Sequence, residues 1–212
     1  MKIGTKSLLF GAHQFIIHPL FVFAAWWKLY GFPADPRLWL AFIVHDWGYW
    51  GSPNMDGHEG NLHPLVGAKI LHFLFDRPRF YVPYEGSIPL ENSRWYRLCL
   101  CHSRFFAAEN GYDFSRLCVA DKMSIVLDPA WLYLPRVRLS GEINEYMALA
   151  KKRTSEGEPK YASMKICTDS QRQWFADVQE YLSRWVKEHK DGRKDTWTPC
   201  IKTARTDSGV WQ

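Results

Sequence analysis

The residues best placed to do chemistry are His45 and Asp46, an imidazole beside a carboxylate at the end of the apolar run Leu40-Ala41-Phe42-Ile43-Val44. Adjacent side chains on a helix point about 100° apart, so a regular helix does not aim both at one target. Other elements must bring the target to them, helped by the looser geometry of a helix end. A divalent metal suits the pair, because imidazole nitrogen and carboxylate oxygen are both first-row metal ligands. The plain alternative is a His at a helix C-terminus, favoured by the dipole, beside a solvated Asp.

The spacing of further candidates bears on that choice. His18 lies in Ile16-Ile17-His18-Pro19 and His63 in Leu62-His63-Pro64-Leu65-Val66-Gly67-Ala68. His102 lies in Leu100-Cys101-His102-Ser103 and Asp121 in Val119-Ala120-Asp121-Lys122. Each interrupts or borders an apolar helical pattern, where an unpaired polar group is costly. A lone His in such a place is more often a satisfied core histidine. Five such places on five segments point to one shared target.

The order His…His-Asp…His…His…Asp resembles the HD superfamily of metal-dependent phosphohydrolases, over about residues 13 to 128. It is most similar to the HD-class bacterial dinucleoside tetraphosphate hydrolases, which carry similar Leu-His-x-x-Val-Gly-Ala and Ala-Asp-Lys segments. His18, His45, Asp46 and Asp121 match the basic metal site of that superfamily. His63 and His102 match the extra ligands of its two-metal members, in which Asp46 would bridge. The resemblance implies an all-α HD-domain helical bundle holding two transition-metal ions, with iron, manganese, zinc, cobalt and nickel undistinguished. It also implies catalytic positions at Asp46 and at Lys122 of the Ala-Asp-Lys segment. The chain departs from the pattern at Tyr49, which stands four positions after His45 where many such enzymes carry Lys.

The expected chemistry is metal-assisted hydrolysis of a phosphate ester or anhydride, the metals lowering the pKa of a bound water and polarising phosphoryl oxygens. Arg104, Lys122 and His58 are the cationic candidates for phosphate, and Tyr49 joins Arg104 and His58 as a substrate-contact position. These residues favour a small phosphorylated substrate, a nucleotide or a related molecule. Two rival expectations use the same ligands. One is a di-iron HD-fold oxygenase; the other is a non-catalytic nucleotide-binding module, for which the Tyr49 departure is the best support.

The elements that must position these groups are helices. Pro19 to Tyr30 reads as a helix that Gly31 stops. Asp35-Pro36 caps the next, which buries Leu38, Trp39, Phe42 and Ile43 and ends at His45-Asp46. Gly51 to Asn61 reads as a loop, followed by a helix from His63-Pro64 to Phe75. Residues 77 to 92, rich in Pro and aromatics, read as an irregular cover. One helix from Ser93 to about Ala107 carries His102 and Arg104, and another from Ser115 to Leu127 carries Asp121 and Lys122. Ser140 caps a helix to about Lys152, and Asp169-Ser170 begins an amphipathic one to about His189. The expected organisation is a metal-binding domain over 1–135, C-terminal helical elaboration over 136–189 and a flexible tail over 190–212.

Composition bounds the rest. The 212 residues suit one domain with a real core, and the aromatic content of 16% suits a filled helical core or an aromatic pocket. The net charge of +5 arises mainly after residue 150, away from the proposed ligands. No basic run or RNA-binding signature accompanies it, so no strong nucleic-acid signal exists. Five Cys without a C-x-x-C pair suit reduced thiols in a cytoplasmic protein. The apolar stretch from Ser7 to Trp27 is broken by His13, Gln14, His18 and Pro19, which favours buried helix over a membrane span.

Overall fold

The computed structural model describes residues 1–55, 58–76, 93–155, 166–192 and 194–197. The described residues form helices and no strand: α1 (Ile3–Phe10), α2 (Ile17–Tyr30), α3 (Pro36–Val44), α4 (His58–Asn61), α5 (Pro64–Leu71), α6 (Arg94–Leu100), α7 (Arg104–Glu109), α8 (Arg116–Leu127), α9 (Ala130–Ser140), α10 (Glu142–Ser155) and α11 (Gln171–His189). A 3₁₀ turn over Trp47–Tyr49 follows α3, and a π-helical turn over His72–Asp76 extends α5. The all-α bundle expected from the sequence is present. No helix among the described residues is long and apolar enough to cross a membrane.

Helix α8 is the axis of the fold. Leu117, Cys118, Val119, Ala120, Asp121 and Ser124 are all buried, on more than one face, as befits a helix enclosed by neighbours. Along one side α2 packs, along another α11, while α5 lies against α6. The main core joins Val22 and Trp26 of α2, Phe42 of α3, Leu71 of α5, Trp95 of α6 and Leu117 of α8. A second core joins Tyr133, Val137, Ile143, Trp174 and Phe175 of α9, α10 and α11 with Ala12. Two glycines permit the close approaches at the site. A Cβ at Gly67 would collide with the Val44 carbonyl, and one at Gly48 with the His63 backbone.

Several boundaries differ from expectation, each for a local reason. Asp35 caps α3 as expected, accepting from Arg37 N. Trp39 and Ile43, however, are 46% and 42% exposed. Nine residues of α3 have room to bury only Ala41, Phe42 and Val44, and Trp39 instead donates to the Pro33 carbonyl and meets Phe23 and Phe32 edge-on. The single helix expected over Ser93–Ala107 is two, because Ser103 caps α7 by accepting from Phe106 N. The loop over Gly51–Asn61 contains the single turn α4. Helix α9, with Pro135 inside it, was not foreseen, and the expected domain boundary at 135 falls within it. The chain after Lys190 does not simply trail off: Asp195 accepts from Trp185 Nε1, and the Trp197 ring lies against Tyr181. The irregular cover over 77–92 and the remainder of the tail lie outside the described residues.

Candidate metal centre

Six side chains from five segments meet at the junction of α2, α3, α5, α6 and α8. His18 comes from the first turn of α2, His45 and Asp46 from the end of α3, His63 from just before α5, His102 from the turn between α6 and α7, and Asp121 from α8. Helix ends supply five of the six, which resolves the 100° problem posed by His45 and Asp46. His45 caps α3, while Asp46 leaves helical geometry with φ −98° and ψ 2°. All six are buried.

The ligand atoms form two groups that share one carboxylate. In the first, His18 Nε2 lies 3.2 Å from His45 Nε2, from Asp46 Oδ2 and from Asp121 Oδ1. His45 Nε2 is 3.2 Å from the same Asp46 Oδ2. In the second, His102 Nε2 is 3.2 Å and His63 Nε2 3.6 Å from Asp46 Oδ1, and the two Nε2 atoms are 3.1 Å apart. Within each group the atoms lie inside 4.8 Å of one another, so each could hold a metal ion.

Backbone carbonyls aim the rings. His45 Nδ1 donates to Phe42 O at 2.9 Å, His63 Nδ1 to Gly60 O at 2.6 Å and His102 Nδ1 to Cys99 O at 2.5 Å. A donor at Nδ1 leaves the neutral ring with its lone pair on Nε2, and a backbone carbonyl on the other ring nitrogen is usual for metal-bound imidazole. With lone pairs converging at 3.1 to 3.2 Å, these nitrogens need a cation or protons among them. Asp46 Oδ2 makes the same demand, since it is buried and makes no hydrogen bond. A positive ion satisfies both, so the residues present fit a metal.

The electrostatics of the two groups differ. Burial disfavours the charged form of His45, but Asp46 and Asp121 outweigh it and raise its pKa to about 10. His18 is also raised: burial opposes, and the adjacent Asp121 and Asp46 carboxylates prevail. Burial and the neighbouring His102 push His63 well below its usual value, and burial lowers His102. Asp46 and Asp121 lie well below the ordinary carboxylate range. Burial opposes this, but His45 outweighs it at Asp46 and Lys122 at Asp121.

The remaining sequence candidates fall on two sides. Lys122 is at the site, its Nζ donating to Asp121 Oδ2 at 2.7 Å, although adjacency on a helix gave no reason to expect it. Tyr49 stacks on His63 at 4.1 Å between centroids, with an 11° interplanar angle. Arg104 is held against Trp185 at 4.8 Å and donates to the Tyr181 hydroxyl at 3.2 Å. The His58 side chain lies outside the described residues.

A cavity of about 280 Å³ adjoins the cluster, lined by His18, Lys122, Arg104 and Tyr49 and by residues of α9, α10 and α11. Sequence reasoning missed the part of its wall that α10 and α11 supply, because the helical spacing of Trp174, Val178 and Tyr181 marked them only as packing and nothing singled out Tyr146. It also missed His13, which lines the cavity; its Nδ1 lies 2.9 Å from Ser7 Oγ and 3.8 Å from the buried Glu142. The only signal for His13 was its place in the break of the apolar run, five residues before His18.

No family model, curated protein or solved structure matches the chain.

Proposed function

We propose that the chain is a metal-dependent phosphohydrolase of the HD type, cleaving a phosphate ester or anhydride of a small molecule. The observation that carries this reading is the Asp46 carboxylate set between two groups of inward-facing imidazoles, with its buried Oδ2 making no hydrogen bond. Such a donor set suits a pair of first-row ions. Bound there, they would supply a water of lowered pKa and Lewis acidity toward phosphoryl oxygens. The protein's own part is positional and electrostatic. Phe42, Gly60 and Cys99 carbonyls hold three rings in one tautomer, and Tyr49 braces His63. Lys122 neutralises Asp121 and offers its ammonium to an anion entering the adjoining cavity, where charge that grows in the transition state is stabilised. Arg104 adds a second cation to the cavity lining.

The test is phosphate or pyrophosphate release from a panel of phosphoesters and anhydrides, nucleotides included, by protein loaded separately with manganese, iron, cobalt, nickel or zinc. Hydrolysis dependent on metal and lost on chelation supports the proposal. Substrate-dependent oxygen consumption with iron, without phosphate release, would replace it with the oxygenase reading. Ligand binding without turnover under any metal would make the chain a binding module.

A further inference from the structure

The cavity beside the metal cluster has an uneven chemistry. Two cations line it, Lys122 beside the Asp121 carboxylate and Arg104 donating to Tyr181. Much of the remaining lining is aromatic and aliphatic, with Leu149 and Tyr146 from α10 and Trp174 and Val178 from α11. Among the described residues that line it there is no carboxylate, no side-chain amide and no aliphatic hydroxyl. Carboxylates and amides are the usual readers of sugar hydroxyls and base edges. Of the phenol hydroxyls that line the cavity, Tyr181 is held by Arg104 and Tyr146 by Glu142, so a polar ligand group buried there is costly. The volume of about 280 Å³ also lies just below the roughly 300–1,000 Å³ usual for drug-sized ligands.

We propose that this cavity takes a compact amphiphile: one phosphoryl group at Lys122 and Arg104, joined to a single apolar or aromatic ring lodged against α10 and α11. The assignment rests on the phosphohydrolase reading for the identity of the anion, and it narrows the substrate away from nucleosides and dinucleoside polyphosphates. It gives the C-terminal helices a role beyond packing. Their spacing of apolar residues builds a wall selecting the leaving group, while the metal face would hold the phosphoryl group. Apolar pockets discriminate weakly by added methylenes but strongly disfavour polar groups they cannot pair.

Calorimetric titration of the protein as purified tests this with benzylphosphonate, methylphosphonate and adenosine 5′-monophosphate, none of which relies on turnover for its readout. Benzylphosphonate should bind at least tenfold tighter than either of the others. Leu149→Asn and Val178→Asn, both at partly buried wall positions, should each remove most of that advantage and leave methylphosphonate unchanged. Circular dichroism identifies a variant that fails to fold, and the other then carries the test. A smaller advantage for benzylphosphonate, or one indifferent to both substitutions, overturns the assignment. The two proposals fail separately. Tight benzylphosphonate binding without hydrolysis of any ester removes the phosphohydrolase reading alone. Hydrolysis of a nucleotide with which benzylphosphonate does not compete removes the pocket assignment alone.

Discussion

The two ligand groups around Asp46 are built from similar side chains, yet their surroundings prepare them for opposite proton states. His18 and His45 face two carboxylates, Asp46 and Asp121, and are raised. His63 and His102 lie against Asp46 and one another, and burial leaves both lowered. The first group therefore presents more negative charge to a cation but holds protons that the cation must displace. The second presents neutral rings ready to ligate, with less charge behind them. Charge and preorganisation are divided between the halves of one site, and Asp46 is the residue common to both.

The largest effect should come from removing that shared residue. Asp46→Ala is expected to lose both metals and all metal-dependent turnover while staying helical, checked by metal analysis and circular dichroism. Full metal content in a folded variant would remove Asp46 from the site. Changing His63 and His102 together to Ala should cost one ion and spare the other. Unchanged stoichiometry would mark those two as core histidines and erase the comparison.

A smaller effect is expected at Lys122. Because Nζ sits 2.7 Å from Asp121 Oδ2, it belongs to the first group alone. Lys122→Met should keep the fold and the metals yet cut turnover by roughly 30-fold, since about 1.4 kcal/mol is a factor of ten and a cation on a developing phosphoryl charge is often worth about 2–4 kcal/mol. Wild-type kinetics would return Lys122 to a passive role.

The smallest effect, and the one that separates the groups most cleanly, is the pH dependence of the metal-free protein. His45 is raised from 6.5 to about 10, so its contribution to stability is complete below pH 6.5 and is lost as pH rises toward 10. His63 is lowered. Below pH 6.5 the unfolded chain takes up a proton that the folded ring refuses, and stability falls with pH. Chelated protein should therefore be most stable near pH 6.5, each flank approaching about 1.4 kcal/mol per pH unit for one proton. His45→Gln should flatten the alkaline flank and His63→Gln the acidic one, measured by urea unfolding. A flat profile in the wild type would show that the groups do not differ as described.

How much of this was legible beforehand follows the same division. The six clustered residues were readable because each placed a costly polar group in or beside an apolar helical pattern, and five of the six lie at helix ends that Pro, Gly or Ser punctuate; their reading as metal ligands came from the resemblance. Asp35-Pro36, Ser115 and Ser170 marked helix starts through their caps, and the structure has them. What pattern could not supply was tertiary direction. Trp39 and Ile43 fitted an apolar stripe but lie on the outer side of α3. Lys122 was one residue from a ligand, and only the extended reach of its side chain returns it to Asp121. Helix α9 was hidden by Pro135, which a helix interior normally excludes. Trp174 and Val178 carried a packing pattern that spacing alone does not distinguish from a cavity wall.

Equilibrium dialysis of the chelated wild-type protein against manganese or zinc counts the ions that Asp46 would share. Two ions per chain are expected, with the His63/His102 double variant retaining one and Asp46→Ala retaining none. Folded wild-type protein that binds one ion or none would rule out the shared site.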